Sequence, residues 1–252
     1  DPRGELIRLE LETPGAREGE RADKVSSFVA AHRSFWLGEE LAKIWPQPRP
    51  ALHLEFRHGF LMKAVFDVPP DVWKWPPLRE QIALVMASPA ARLLRHLQTG
   101  NLESPADAEP ILDALASRGF PALSILSLPV QGTPRQRRKK QERDEHDAAA
   151  VIAKGAPNLQ RLHLDLLSPD LGPLVLPRLS CLSISACELS DQTMQSLASS
   201  TLPALEEVRL TVEDDPSERS LPKKRRPREA SLASASMALL APDSLRSFSV
   251  TG

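Results

Sequence analysis

Tyrosine is absent from these 252 residues, cysteine occurs twice, and glycine is scarce at 11 residues. No glycine-rich phosphate loop, dinucleotide-binding glycine pattern or metal-ligand spacing occurs in the chain, so the usual sequence marks of nucleotide and metal chemistry are missing. No apolar run approaches the roughly 18 residues that a membrane-crossing helix needs. The opening residues, DPRGELIRLE, lack the pattern of a signal peptide. A net charge of −1 removes any global attraction to nucleic acid or to a membrane surface. Cys181 and Cys187 would lie at the two ends of one strand, about 20 Å apart at about 3.3 Å per residue, too far to bridge. Two reduced thiols in a cytosolic protein are the expected state, and neither has the further ligands that a metal site requires. The chain opens without Met, so its true N-terminus is expected to be missing or processed.

What is present is a recurrence. Leu179, Leu182, Ile184, Cys187 and Leu189 spell L-x-x-L-x-L-x-x-C-x-L, the signature of a leucine-rich repeat. Two apolar residues spaced by two share one face of a short strand, and one such unit cannot bury that face alone, so neighbours must stack on it. The same core recurs at Leu123/Leu126/Leu128, Leu159/Leu162/Leu164, Leu205/Val208/Leu210 and Leu245/Phe248/Val250, with a weaker copy at Leu94/Leu97/Thr99. Pro121, Pro157, Pro177 and Pro203 each stand two residues before a first Leu, and Pro242 stands three before. The copies begin 29, 36, 20, 26 and 40 residues apart. Steps of about 20 to 29 suit this repeat class, and the longer ones must hold insertions. The expected fold is α/β: a leucine-rich-repeat solenoid over 91–252, with a parallel sheet on the concave face and short helices on the convex face. An N-terminal helix-plus-hairpin cap occupies 1–90.

Taken in order, Asp1 to Glu12 reads as a helix, and Arg21 to Leu41 as one further helix stopped by the prolines of 45–50. Ala51 to Phe56 and Phe60 to Val68 read as a hairpin around Arg57-His58-Gly59. Leu78 to Met86 is helical in pattern. Glu109–Arg118, Asp147–Lys154, Gln192–Ser199 and Ser231–Leu240 are the helical backs of repeats. Trp36, Trp45, Trp73 and Trp75 suggest a dense core in the first third, although Trp73 and Trp75, lying among prolines, are also read as a second contact patch.

The N-terminal wording resembles a known family. DPRGELIRLELE, then HRSFWLGEEL, then EFRHGFLMKAVFDVP, covering about residues 1 to 68, resemble the bacterial repeat-companion domain that precedes leucine-rich repeats, and SPAARLLRHL resembles its entry into the first repeat. The family carries a further stretch before DPRGEL, with a tyrosine-alanine-aspartate-tryptophan-leucine motif, and that stretch does not stand here, which implies a shortened cap or a late start. The resemblance implies an intracellular bacterial repeat protein without catalytic residues.

Strand alternation assigns side chains to the concave face: Ile125 and Ser127; Arg161, His163 and Asp165; Cys181, Ser183 and Ser185; Glu207 and Arg209; Ser247 and Ser249. A partner protein is expected to dock on Arg161, His163, Asp165, Ser183, Ser185, Glu207 and Arg209, with the two arginines as anchors, since Arg is enriched among interface hot spots. The bland alternative is a solvated sheet face with no ligand. His163, Asp165 and Ser183 together suggest a catalytic triad only superficially. They stand on a flat sheet with neither an oxyanion donor nor a pocket implied, and no nucleophile elbow is present.

Two charged insertions, at about 133–147 and 213–229, are expected to be loops. The first carries Arg137, Arg138, Lys139 and Lys140, the second Lys223, Lys224, Arg225 and Arg226. Such runs bind phosphate backbones, but each has acids close by and no aromatic residue interleaved for base stacking, so a solvated loop is the plainer reading. The sequence therefore points to a cytoplasmic, non-catalytic protein-binding module without cofactor, small-molecule substrate or membrane contact. Its partner would be another protein, reached as an adaptor, an inhibitor or immunity-type partner, or a regulatory subunit of a bacterial complex. A nucleic-acid accessory role through the basic insertions is the second reading.

Overall fold

The recurring apolar triplets become strands because each puts two side chains on one face of an extended segment and a third just ahead of it. In the computed structural model the described residues are 1–11, 18–44, 52–58, 60–66, 78–100, 108–128, 148–166, 172–186, 191–212 and 247–251. Their strands are β1 (Leu52–Arg57), β2 (Phe60–Phe66), β3 (His96–Thr99), β4 (Ile125–Leu128), β5 (Arg161–Leu166), β6 (Cys181–Ala186), β7 (Glu207–Val212) and β8 (Ser247–Thr251). They form one 8-stranded sheet in strict sequence order. β1 and β2 pair antiparallel, and every later pairing is parallel.

Register follows the leucines. Ala64, Leu97, Leu126, Leu162, Leu182, Val208 and Phe248 stand opposite one another from β2 to β8. In the copies that begin at Leu94, Leu123, Leu159, Leu179 and Leu205, no residue of the triplet is more than 5 % exposed, Thr99 included. A slip of one residue would turn these side chains to the opposite face. A backbone ladder ties neighbouring strands together at their entry. The Arg95 carbonyl accepts from the N–H groups of Ser124 and Ile125, the Ser124 carbonyl from Gln160 and Arg161, and the Gln160 carbonyl from Ser180 and Cys181. Ser124 and Ser180 add hydroxyl donations to the same carbonyls at 3.0 and 3.1 Å.

Helices cover the leucine face. α1 spans Pro2–Leu11, α2 Glu18–Ala31, α3 Arg33–Leu37, α4 Glu39–Ile44, α5 Leu78–Ala87, α6 Glu109–Ser117, α7 Ala148–Gly155 and α8 Asp191–Ala198. Ile82, Ile111, Leu115, Ile152 and Leu197 bring them into one core with the strand leucines. α6 and α7 pack so closely that a Cβ on Gly155 would lie 2.6 Å from the Leu115 carbonyl oxygen and 2.7 Å from its Cβ. The short step between the copies at Leu159 and Leu179 holds no helix among the described residues. There Leu174 and Leu176 are buried, and Val175 forms an isolated parallel bridge with Thr201. Twenty residues that must also supply a strand and its turns cannot fit a helix of the length used elsewhere, and an extended segment spans the back with fewer residues.

One sequence expectation changes. The single helix expected over Arg21 to Leu41 is three helices, broken after Ala31 and again at Gly38. Gly38 takes φ +78, which costs glycine little and would strain a residue with a Cβ. β2 hydrogen-bonds β3 in parallel register, so the hairpin continues into the sheet formed by the later strands. The remaining helical backs lie where the spacing predicts, except that Ser231–Leu240 lies outside the described residues. Trp36 is buried against Phe56, with ring centroids 5.9 Å apart. Trp45, Trp73 and Trp75 lie outside the described residues.

Candidate functional site: the polar face of the sheet

The strand residues that alternate with the buried leucines form a second face. Its first row runs Glu55, Lys63, His96, Ile125, Arg161, Cys181, Glu207 and Ser247 across all strands. The second runs His53, Val65, Gln98, Ser127, His163, Ser183, Arg209 and Ser249. A shorter third row holds Asp165, Ser185, Thr211 and Thr251. Arg161, Arg209, Ser247 and Ser249 are exposed, and His163, Cys181, Ser183, Ser185 and Glu207 are half-buried.

The seven residues expected from the sequence thus stand together on one surface, with a correction for Asp165. It occupies the expected register but is only 7 % exposed, and its Oδ1 is buried without a hydrogen bond. It lies toward the C-terminal end of β5, and its carboxylate is not presented to a docking partner. Arg209 is also less available than an anchor should be. Its Nε donates to Glu207 Oε1 at 2.6 Å, and its Nη2 lies 2.5 Å from the same oxygen. Hydrogen bonding from Arg209, then from the Cys181 thiol, holds the Glu207 carboxyl below the usual carboxylate range. Burial, then the hydrogen bond to Glu207, pushes the Cys181 thiol up. Cys181 is a free thiol, and its raised proton affinity leaves it little thiolate character. Cys187 lies outside the described residues.

Two of the three histidines in these rows, His163 and His96, have a lowered proton affinity. Burial lowers the proton affinity of the His163 ring, and burial together with the Lys63 charge does the same at His96. Ser183 is the cross-strand neighbour of His163, but no hydrogen bond joins that ring to Ser183 among the described residues. No group of three or more His, Cys, Asp or Glu side chains among the described residues is arranged to hold a metal ion. No helix among them is long and apolar enough to cross a membrane. Arg137, Arg138, Lys139 and Lys140, and likewise Lys223, Lys224, Arg225 and Arg226, lie outside the described residues.

Sequence reasoning began the face at Ile125 and missed its first third. Glu55, Lys63, His96 and Gln98 belong to the same two rows. The signal was present in β1, where Leu52, Leu54 and Phe56 alternate with His53, Glu55 and Arg57. What alternation alone does not carry is the pairing of β2 with β3. No family model, curated protein or solved structure matches the chain.

Proposed function

We propose that the chain is a leucine-rich-repeat solenoid with an N-terminal helix and hairpin cap, and that it serves as a non-catalytic protein-binding module through its polar sheet face. One observation carries this reading: two rows of mostly polar side chains, interrupted by Ile125 and Val65, cross all eight strands, while the opposite face is filled with leucine and covered by helices. Parallel sheets are ordinarily covered on both faces. A parallel sheet with one wet face offers a broad, rigid surface on which a partner's side chains find hydrogen-bond donors and acceptors already in place. Sequential strands with the same triplet at each step support the repeat reading. The wording of residues 1 to 68 supports a bacterial, cytoplasmic setting, in which an adaptor, an inhibitor or immunity-type partner, or a regulatory subunit would work.

The test is affinity capture from native lysate by the tagged chain and by a Ser183→Trp variant whose indole fills the centre of the face. One protein retained at moderate salt by the parent and lost by the variant, with equal melting temperatures, is the expected result. Equal retention by both would move the site off the sheet. Nucleic acid alone, released by salt, would replace the reading with the accessory role of the basic insertions.

A further inference from the structure

Charge on this face is unevenly compensated, and the imbalance bears on what chemistry the face fits. On β6 and β7 the groups satisfy one another through the Arg209–Glu207 ion pair and the thiol of Cys181. On β2 to β5 they do not. Lys63 in β2 and Arg161 in β5 make no ion pair among the described residues. Glu55 stands opposite Lys63 in register without pairing to it. Asp165, on the same strand as Arg161, is buried. Between Lys63 and Arg161 in the first row lie the His96 ring, whose proton affinity burial lowers, and half-buried Ile125, and half-buried Val65 stands on β2 beside Lys63 in the second row.

We propose that this strip receives an extended acidic segment of a protein partner, with one carboxylate on Arg161 and a second on Lys63. The proposal rests on the docking reading and gives it a partner class. Lys63 and Arg161 are three strand spacings apart, about 14 Å at about 4.8 Å each, which an extended chain covers in about four residues. The guanidinium fork of Arg161 matches a carboxylate with two parallel hydrogen bonds. Ile125 then meets an apolar side chain between the partner's two acids, and Val65 borders the end held by Lys63. A nucleic acid fits less well. Its phosphates recur at every nucleotide and would run past Glu55 and Glu207, and no Phe, Tyr or Trp side chain stands in the two rows for bases to stack on.

The probe is a labelled peptide of serine and valine carrying two glutamates about four residues apart, titrated onto the full chain by fluorescence anisotropy. Companion probes carry glutamine or lysine in place of the glutamates, and an oligothymidine stands for nucleic acid. Saturable binding of the glutamate peptide is expected, weakened about tenfold by Arg161→Glu and about threefold by Lys63→Glu with melting temperatures unchanged, since charge reversal opposes a like charge at the contact. Arg161→Glu should at the same time gain affinity for the lysine peptide. The proposal is overturned if the glutamine peptide binds as tightly, if Arg161→Glu leaves affinity unchanged, if oligothymidine binds more tightly than the acidic peptide, or if the acidic peptide does not saturate. A glutamine or lysine peptide that binds the parent and is lost in Ser183→Trp would keep the docking surface and remove its acid preference. A captured protein indifferent to Ser183→Trp would remove the docking reading itself.

Discussion

The antiparallel end of the sheet and its parallel run are held in register by different kinds of contact, although they share one hydrogen-bonded ladder. From β3 to β7 the same three apolar positions recur, and each side chain is flanked by its equivalents on neighbouring strands. At β1 and β2 nothing recurs, and individual contacts do the holding. Glu10 on α1, itself buried, accepts a hydrogen bond from the His58 N–H at 2.7 Å and lies 2.7 Å from its Nδ1, which fixes the hairpin at a residue with φ +50. Arg3 lies over the Phe60 and Phe35 rings at 5.1 and 5.8 Å. A β-bulge between Glu55 and Phe56 adjusts the pairing. Repetition distributes register over many equivalent side chains, whereas the hairpin depends on a few particular ones.

The largest effect should come from the repeated core. Leu162 is buried between Leu126 and Leu182, and Leu162→Ala should cost about 3 to 4 kcal/mol through lost transfer energy and the cavity left behind. Urea unfolding reads this as a lower midpoint with the slope retained. A loss under about 1 kcal/mol would mean that the repeats behave as loosely coupled units. Gly155→Ala comes next. A methyl group there meets the Leu115 backbone, which cannot rotate away, so α6 and α7 must separate, at a cost of about 2 kcal/mol.

Glu10→Ala should cost less, about 1 kcal/mol, because His58 is half exposed and water can replace part of what the carboxylate supplies. Its location sharpens the comparison more than its size does. Amide exchange should accelerate in β1 and β2 and stay slow in β5 to β7, since opening is local where the pins are local. Acceleration along the whole sheet would show that the hairpin nucleates the register of the repeats.

The same difference governs what could be read from the chain before its structure. The last two positions of every triplet, even the weak copy ending in Thr99, lie on a described strand in the expected order, because the pattern states both the strand and its inward face. The alternation that names Arg161, His163, Ser183, Ser185, Glu207 and Arg209 follows from that pattern. What depends on single residues was not legible. Gly38 separates the third helix from the fourth, and the apolar spacing over Arg21 to Leu41 carries no trace of either break. The burial of Asp165 and the engagement of Arg209 by Glu207 are set by neighbours across strands, which alternation along one strand does not specify.

The smallest predicted effect concerns the centre of the polar face and is read through pH. Burial lowers the proton affinity of the folded His163 ring below its ordinary value of 6.5, so below that pH the unfolded chain binds the proton more readily. Stability therefore falls as pH drops from about 6.5 and stops falling through this group once the folded ring is protonated too. The groups facing the ring are Ser127 and Ser183 on the adjacent strands and Arg161 and Asp165 on its own. His96 contributes in the same direction, from burial first and the Lys63 charge second. His163→Gln should leave the urea midpoint near neutrality almost unchanged and reduce its decline between about pH 6.5 and pH 5, above the range where carboxylates dominate. Lys63→Gln should reduce the same decline by a smaller amount, through His96. If His163→Gln declines as steeply as the parent, the middle of the face is wet enough to carry the charge. Arg161 would then stand in bulk-like solvent, where a single ion pair contributes little.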